Sequence, residues 1–117
     1  WFVMATHTMY PALDAKNPAS LSPAILQGLL REELSYDGVV VTDDLEMGAI
    51  SRHYGFDRAG VEAILAGADL VLVCHDYAHE TAVYNGLLKA VKSGEISKDR
   101  LDASVRRIVK AKIEYLE

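Results

Sequence analysis

The sequence predicts an α/β protein built on a parallel sheet, and three observations carry that expectation. Short apolar runs, Trp1-Phe2-Val3-Met4-Ala5, Val39-Val40-Val41 and Leu70-Val71-Leu72-Val73, read as strands, the latter two buried on both faces. Longer segments with helical apolar spacing separate them, in the order strand, helix, strand, helix, strand, helix, helix, which implies right-handed βαβ units. Two adjacent carboxylates, Asp43 and Asp44, end the middle run. The carboxyl end of such a strand is where α/β proteins bind ligands, and a carboxylate there costs desolvation unless it is solvated or paired. One of the two could cap the following helix; the other is left for chemistry.

After the first strand, Thr6-His7-Thr8 leads into a long loop, residues 9–20, with prolines at 11 and 18; loops of that length are often functional. Ser22 is expected to cap the first helix with Pro23 at its first position. Leu21 should staple to Leu26, and Ile25, Leu26, Leu29, Leu30 and Leu34 should form the apolar face. Ser35-Tyr36-Asp37-Gly38 turns into the central strand. A short helix from about Met47 breaks near Gly55, and Asp57 can cap the next, which carries Val61, Ile64 and Leu65 and ends at Gly67 in a left-handed conformation. After the third strand a helix runs from about Ala78 to Ser93, with Val83, Leu87, Leu88 and Val91 inward and Gly94 as its stop. Ser97 caps the last helix, with Ile96 stapled to Leu101. Leu101, Val105, Ile108, Val109, Ile113 and Leu116 form its apolar stripe, and Arg106, Arg107, Lys110 and Lys112 its other side.

Half of the 117 residues are hydrophobic, enough to build a core for one modest domain or a piece of a larger one. The formal net charge is −5 with the basic residues interleaved among acids, so a nucleic-acid partner is disfavoured. The single cysteine, Cys74, rules out an internal disulfide framework. No apolar run is long enough to span a membrane. The chain opens on Trp1 rather than Met and reads as a cut inside a longer protein, so a signal peptide or anchor would not be visible.

Pro11-Ala12-Leu13-Asp14, Pro18-Ala19-Ser20-Leu21-Ser22, Leu29-Leu30-Arg31-Glu32-Glu33-Leu34 and the run from Tyr36 through Thr42-Asp43-Asp44-Leu45-Glu46-Met47-Gly48-Ala49-Ile50 resemble family 3 glycoside hydrolases, nearest their β-N-acetylhexosaminidase branch. The likeness extends through Ala66-Gly67-Ala68-Asp69 to Arg107-Ile108. It implies a TIM (β/α)8 barrel of which residues 1–117 are a partial domain, the C-terminal half, with strands six to eight. It implies that Asp43, the first Asp after the Thr at a strand end, is the nucleophile of a retaining glycosidase. Asp44 stands where the family's β-glucosidases usually carry Trp. In this branch the acid/base is a His supported by an Asp on the loop after the fifth strand, which would lie before Trp1, as would most sugar contacts. The implied substrate is a glycan or muropeptide with a terminal β-linked N-acetylhexosamine such as N-acetylglucosamine. No cofactor is implied, and the branch includes both cytoplasmic cell-wall-recycling enzymes and secreted ones.

Other residues carry weaker signals. His7 matches a His common in the branch and could contact substrate, although a structural histidine bonded to backbone is the preferred reading. Met47 could line the sugar pocket or simply pack. Asp44 is expected to orient backbone or cap a helix. His75 and His79 have a metal-binding spacing on a helix but lack the Glu beside the first His that a zinc protease needs. Asp14 and Lys16 could reach a substrate from their loop, with solvated charges the default. Cys74 is expected to be buried and inert. The competing class is a non-catalytic barrel fragment that binds sugar or mediates assembly; a phosphorylase is a variant of the enzyme reading. Standing alone, the chain would leave an open edge at Phe2–Ala5 and turn Val39, Val41, Leu70 and Leu72, or their alternates, to water. Its expected partner is the missing N-terminal half-barrel or another copy of itself.

Overall fold

The computed structural model describes residues 2–116. Three strands, β1 (Phe2–Ala5), β2 (Val39–Asp44) and β3 (Leu70–Leu72), form one sheet in sequence order with both pairings parallel. The α/β expectation holds at that level; Trp1, placed in the first strand from the sequence, lies outside the described residues. Four α-helices follow, α1 (Gly48–Ser51), α2 (Phe56–Ala66), α3 (Tyr77–Ser93) and α4 (Lys98–Tyr115), and a wider helix joins β1 to β2.

That first helix, Ala24–Glu33, is a π-helix. Leu34 N–H donates five residues back to Leu29 and Tyr36 N–H six back to Leu30. Ser22 still works as its cap: Ile25 N–H donates to Ser22 Oγ at 3.2 Å. The wider winding spreads the expected apolar face, so that Leu26 is buried, Ile25, Leu29 and Leu30 are half-buried and Leu34 is exposed. Leu21 and Leu26 do share the core, with Ala5, Val40, Leu45, Ile50, Ala59, Ala63 and Val83.

Other ends agree or differ in detail. Asp76 and Ser97 cap α3 and α4 by accepting from Ala78 and Arg100 N–H. Asp57 does not cap α2; Gly55 holds that position and Asp57 lies in the first turn. Gly67 ends α2 at φ 127°, positive as expected but outside the left-handed helical well. A Cβ on Gly86 would lie 2.0 Å from Asp57 O, so glycine is what lets α3 lie against the start of α2.

The expected stripe of α4 does not face the core. Val105, Val109 and Ile113 are about half exposed and Leu116 is 78% exposed. What docks is the row Arg100, Ser104, Arg107. Asp69, whose side chain is fully buried, accepts from Ser104 Oγ (2.6 Å), Arg107 (3.0 Å) and Arg31 (2.6 Å), and from Val40 N–H (3.0 Å). A buried carboxylate without donors is costly, and these donors outrank the apolar stripe in choosing the helix face. The three guanidiniums are not left in excess, since Arg31 also donates to Tyr36 O and Gly38 O, and Arg100 to Ile64 O and Ala68 O.

Val39, expected to face water, is fully buried where α4 meets the start of β2. Val41, Leu70 and Leu72 are half-buried, and Phe2 and Met4 on the β1 edge are exposed.

Candidate active site

Parallel strands bring their carboxyl ends to one edge, and the residues singled out in the sequence gather there. His7 follows β1, Asp43 and Asp44 end β2, and Cys74 and His75 follow β3. The β2–β3 register slips at this edge: Val41 pairs with Leu70 but Asp44 with Leu72, so β2 carries one extra residue between them. Such a bulge bends a strand and re-aims its side chains. Thr42 fills the gap it leaves in the ladder, its buried Oγ1 accepting from Leu72 N–H at 3.2 Å. Asp43 sits on the bulge, half-buried, with Oδ1 accepting from Asp44 N–H at 2.8 Å.

Asp44 is buried and organises backbone, as expected. Its Oδ1 accepts from Glu46 N–H (3.1 Å), its carbonyl accepts from Met47 N–H (3.1 Å), and its Oδ2 lies 3.1 Å from His75 Nε2. It does not cap α1, where Met47 holds the N-cap position without a side-chain bond. His7 is buried, with Nε2 2.9 Å from Asp44 O and Nδ1 2.7 Å from Ser20 Oγ. A carbonyl can only accept, so Nε2 donates to Asp44 O, and Nδ1 is left to the Ser20 hydroxyl. Both ring nitrogens are thereby committed within the fold. The ring also lines a cleft of about 460 Å³ with Met9, Lys16, Pro18, Ala49, His53 and Tyr54. Met47 is 46% exposed beyond the strand end.

Asp14 ties its loop together: it accepts from Ser22 Oγ (2.7 Å), Asn17 Nδ2 (3.0 Å), and the N–H groups of Lys16 and Asn17. These bonds, the Ser22 hydroxyl first, hold its carboxyl well below the usual range. Cys74 is exposed rather than buried. Shielding, with the charges of Asp44, Glu46 and Asp43, pushes its thiol pKa up, away from a reactive thiolate.

His75 and His79 do not share a helix, because α3 begins at Tyr77. His79 Nδ1 lies 2.7 Å from Glu46 Oε1 and its ring stacks on Phe56 at 3.9 Å. Ligand atoms of Asp44, Glu46 and His75 do lie within 4.8 Å of one another. Glu46, however, already accepts from Cys74, His75 and Asp76 N–H besides His79, which leaves it little to offer a cation. Sequence reading gave Glu46 no role. Its signal, an acid two residues past a strand-end Asp pair, acquires meaning only once the β3 loop is brought beside it.

A parallel sheet whose carboxyl edge presents a bulge-borne aspartate within a collar of hydrogen-bonded loops defines an α/β protein, and that edge is its candidate ligand site. The model of the Glycosyl hydrolase family 3 N terminal domain matches residues 2–111, and the chain belongs to glycoside hydrolase family 3. A family 3 β-N-acetylglucosaminidase from Paenibacillus sp. str. FPU-7 superposes with a TM-score of 0.93 at 52% identity, over 95% of this chain and 21% of that one. The β-N-acetylglucosaminidase of Thermotoga maritima gives 0.85 at 32% identity, over 93% and 24%. A protein of Arthroderma benhamiae, described as an uncharacterized secreted glycosyl hydrolase, is 36% identical over 107 residues, covering 91% of this chain and 30% of its own length. The chain thus spans less than a third of the length of these relatives. No helix among the described residues is long and apolar enough to cross a membrane.

Proposed function

We propose that this chain supplies the nucleophile of a retaining glycosidase that removes terminal β-linked N-acetylhexosamine, N-acetylglucosamine first, from a glycan or muropeptide. The observation that carries this reading is Asp43 on the bulge at the carboxyl end of β2, within the Thr42–Ile50 motif. Relatives bearing the names β-N-acetylglucosaminidase and β-hexosaminidase support the substrate class.

In the first step an Asp43 carboxylate oxygen attacks the anomeric carbon. The bond to the aglycone oxygen breaks, and that oxygen takes a proton from the acid/base. In the second step the same group, now a base, draws a proton from water, whose oxygen displaces Asp43 from the sugar. The acid/base and most sugar contacts belong to a segment preceding Trp1, and β1 to β3 are strands six to eight of a barrel. Three strands in order with an unpaired edge, in a chain far shorter than its relatives, fit that placement. Met47 and His7 are the candidates here for the sugar pocket, Met47 by contact and His7 through the Asp44 carbonyl it holds.

In the protein that carries this chain, a 2-fluoro or 5-fluoro sugar should label Asp43. Asp43→Ala should lower turnover by several orders of magnitude, beyond what lost binding explains. A nitrophenyl N-acetyl-β-glucosaminide should be cleaved far faster than the β-glucoside, because Asp44 replaces the glucosidase Trp. Labelling on Asp44, or equal kcat/KM on both sugars, would refute the assignment.

A further inference from the structure

We propose that Glu46 is a positioning residue that clamps the segment after β3 against the carboxyl end of β2 and so fixes one wall of the pocket in which Asp43 reacts. The inference rests on the assignment of Asp43 just made.

Strand β3 ends at Leu72, and beyond it the N–H groups of Cys74, His75 and Asp76 have left the ladder. Backbone donors that leave a ladder need acceptors from elsewhere. Glu46 supplies them, with Oε2 accepting from Cys74 N–H at 2.9 Å and from His75 N–H, and Oε1 from Asp76 N–H at 3.0 Å. Oε1 also meets His79 Nδ1 at 2.7 Å, and the His79 ring stacks on Phe56 of α2. One side chain, only 7% exposed, thus joins the β2 end, the β3 loop and the first turn of α3. One consequence reaches the site: His75 Nε2 is set 3.1 Å from Oδ2 of Asp44, the residue next to Asp43. Thr42 makes the matching tie one step earlier, to Leu72 N–H.

The same geometry removes Glu46 from the list of proton donors. Its two oxygens already take three backbone N–H donors between them, besides the His79 Nδ1 contact, and each oxygen faces at least one of those donors. It acts on the reaction only through the loop.

The predicted kinetic signature follows from that indirect role. A loosened loop leaves the wall in place for only a fraction of the molecules, and apparent affinity falls by that fraction while bound complexes react normally. In the protein that carries this chain, Glu46→Ala should therefore raise KM for a nitrophenyl N-acetyl-β-glucosaminide by about tenfold with kcat changed less than about threefold. Amide exchange over Cys74–Asp76 should accelerate by at least about tenfold while β1 and β2 stay protected. Glu46→Gln keeps one carboxyl-like oxygen and should recover part of the KM; it also carries the test if the alanine variant does not fold. A fall in kcat at unchanged KM, unchanged exchange over Cys74–Asp76, or restoration of a lost kcat by azide, the mark of a missing acid/base, would each overturn the proposal. A parent protein silent on every nitrophenyl glycoside would instead strike the glycosidase reading, and the exchange measurement would then decide the clamp by itself.

Discussion

Asp43 and Glu46 stand three residues apart and show how environment separates two carboxylates. Asp43 is half-buried on a bulge with one oxygen bonded to the next N–H. Glu46 is saturated by donors. Burial alone would raise its pKa, but His79 and the N–H groups of His75, Cys74 and Asp76 outweigh it and hold the carboxyl at about 2, against an ordinary value of 4.5. A depressed carboxylate pKa favours the folded state fully above the unfolded value, and the contribution fades as pH falls through the folded one. Glu46→Gln should thus destabilise the protein near neutral pH. The gap in Tm between parent and variant should close as pH drops from about 4.5 towards about 2, the window set by those two values. Thermal denaturation followed by circular dichroism at several pH values reads it directly, and a constant gap would contradict the assignment of charge to this clamp.

Among the elements, the α2–α3 pair shows the tightest fit. At Gly86 the backbone of α3 passes so close to Asp57 O that even a methyl group collides, and a Cβ on Gly60 would come within 2.7 Å of Val83. Glycine in a helix interior ordinarily costs about 1 kcal/mol relative to alanine. Gly86→Ala should reverse that expectation, since the collision is with backbone rather than a flexible side-chain end, and overpacking of this kind costs about 1–3 kcal/mol or more. Denaturant unfolding of the variant should show a lower midpoint; a raised midpoint would mean that α3 can lift off α2 at little cost. Strand β2 makes the complementary point about irregularity, because its one extra residue places Asp43 where a regular ladder would not.

At the scale of the whole molecule, two apolar surfaces among the described residues stay uncovered. Phe2 (56% exposed) and Met4 (53%) lie along the open edge of β1, and Val105, Val109 and Ile113 line an apolar groove on α4 with the stems of Arg106 and Lys110. Exposed strand edges and contiguous apolar patches are association surfaces. Residues 1–117 by themselves should therefore associate in solution, and under the proposed placement of the acid/base outside them they should lack glycosidase activity. Light scattering and a nitrophenyl-sugar assay on the purified chain read both. A stable monomer with the turnover of an intact enzyme would overturn the barrel placement of β1 to β3.

The sequence by itself determined the order of elements, the parallel sheet, the Ser97 cap, the Gly94 stop and the family motif around Asp43. Each is written in a local run: a period, a cap, a short string of neighbours. It also marked the strand end as the candidate place for chemistry, because adjacent carboxylates after a buried strand have few structural uses. It misjudged the face of α4, because the apolar period of Leu101, Val105 and Val109 was legible while the partner of Arg100, Ser104 and Arg107 was not. Asp69 lies more than thirty residues away and becomes a demand for donors only when burial strips it of water. The bulge at Asp43, the commitment of both His7 nitrogens and the Glu46 clamp were decided in the same way. Each depends on hydrogen bonds between segments distant in the chain, and only packing sets which buried donor meets which acceptor.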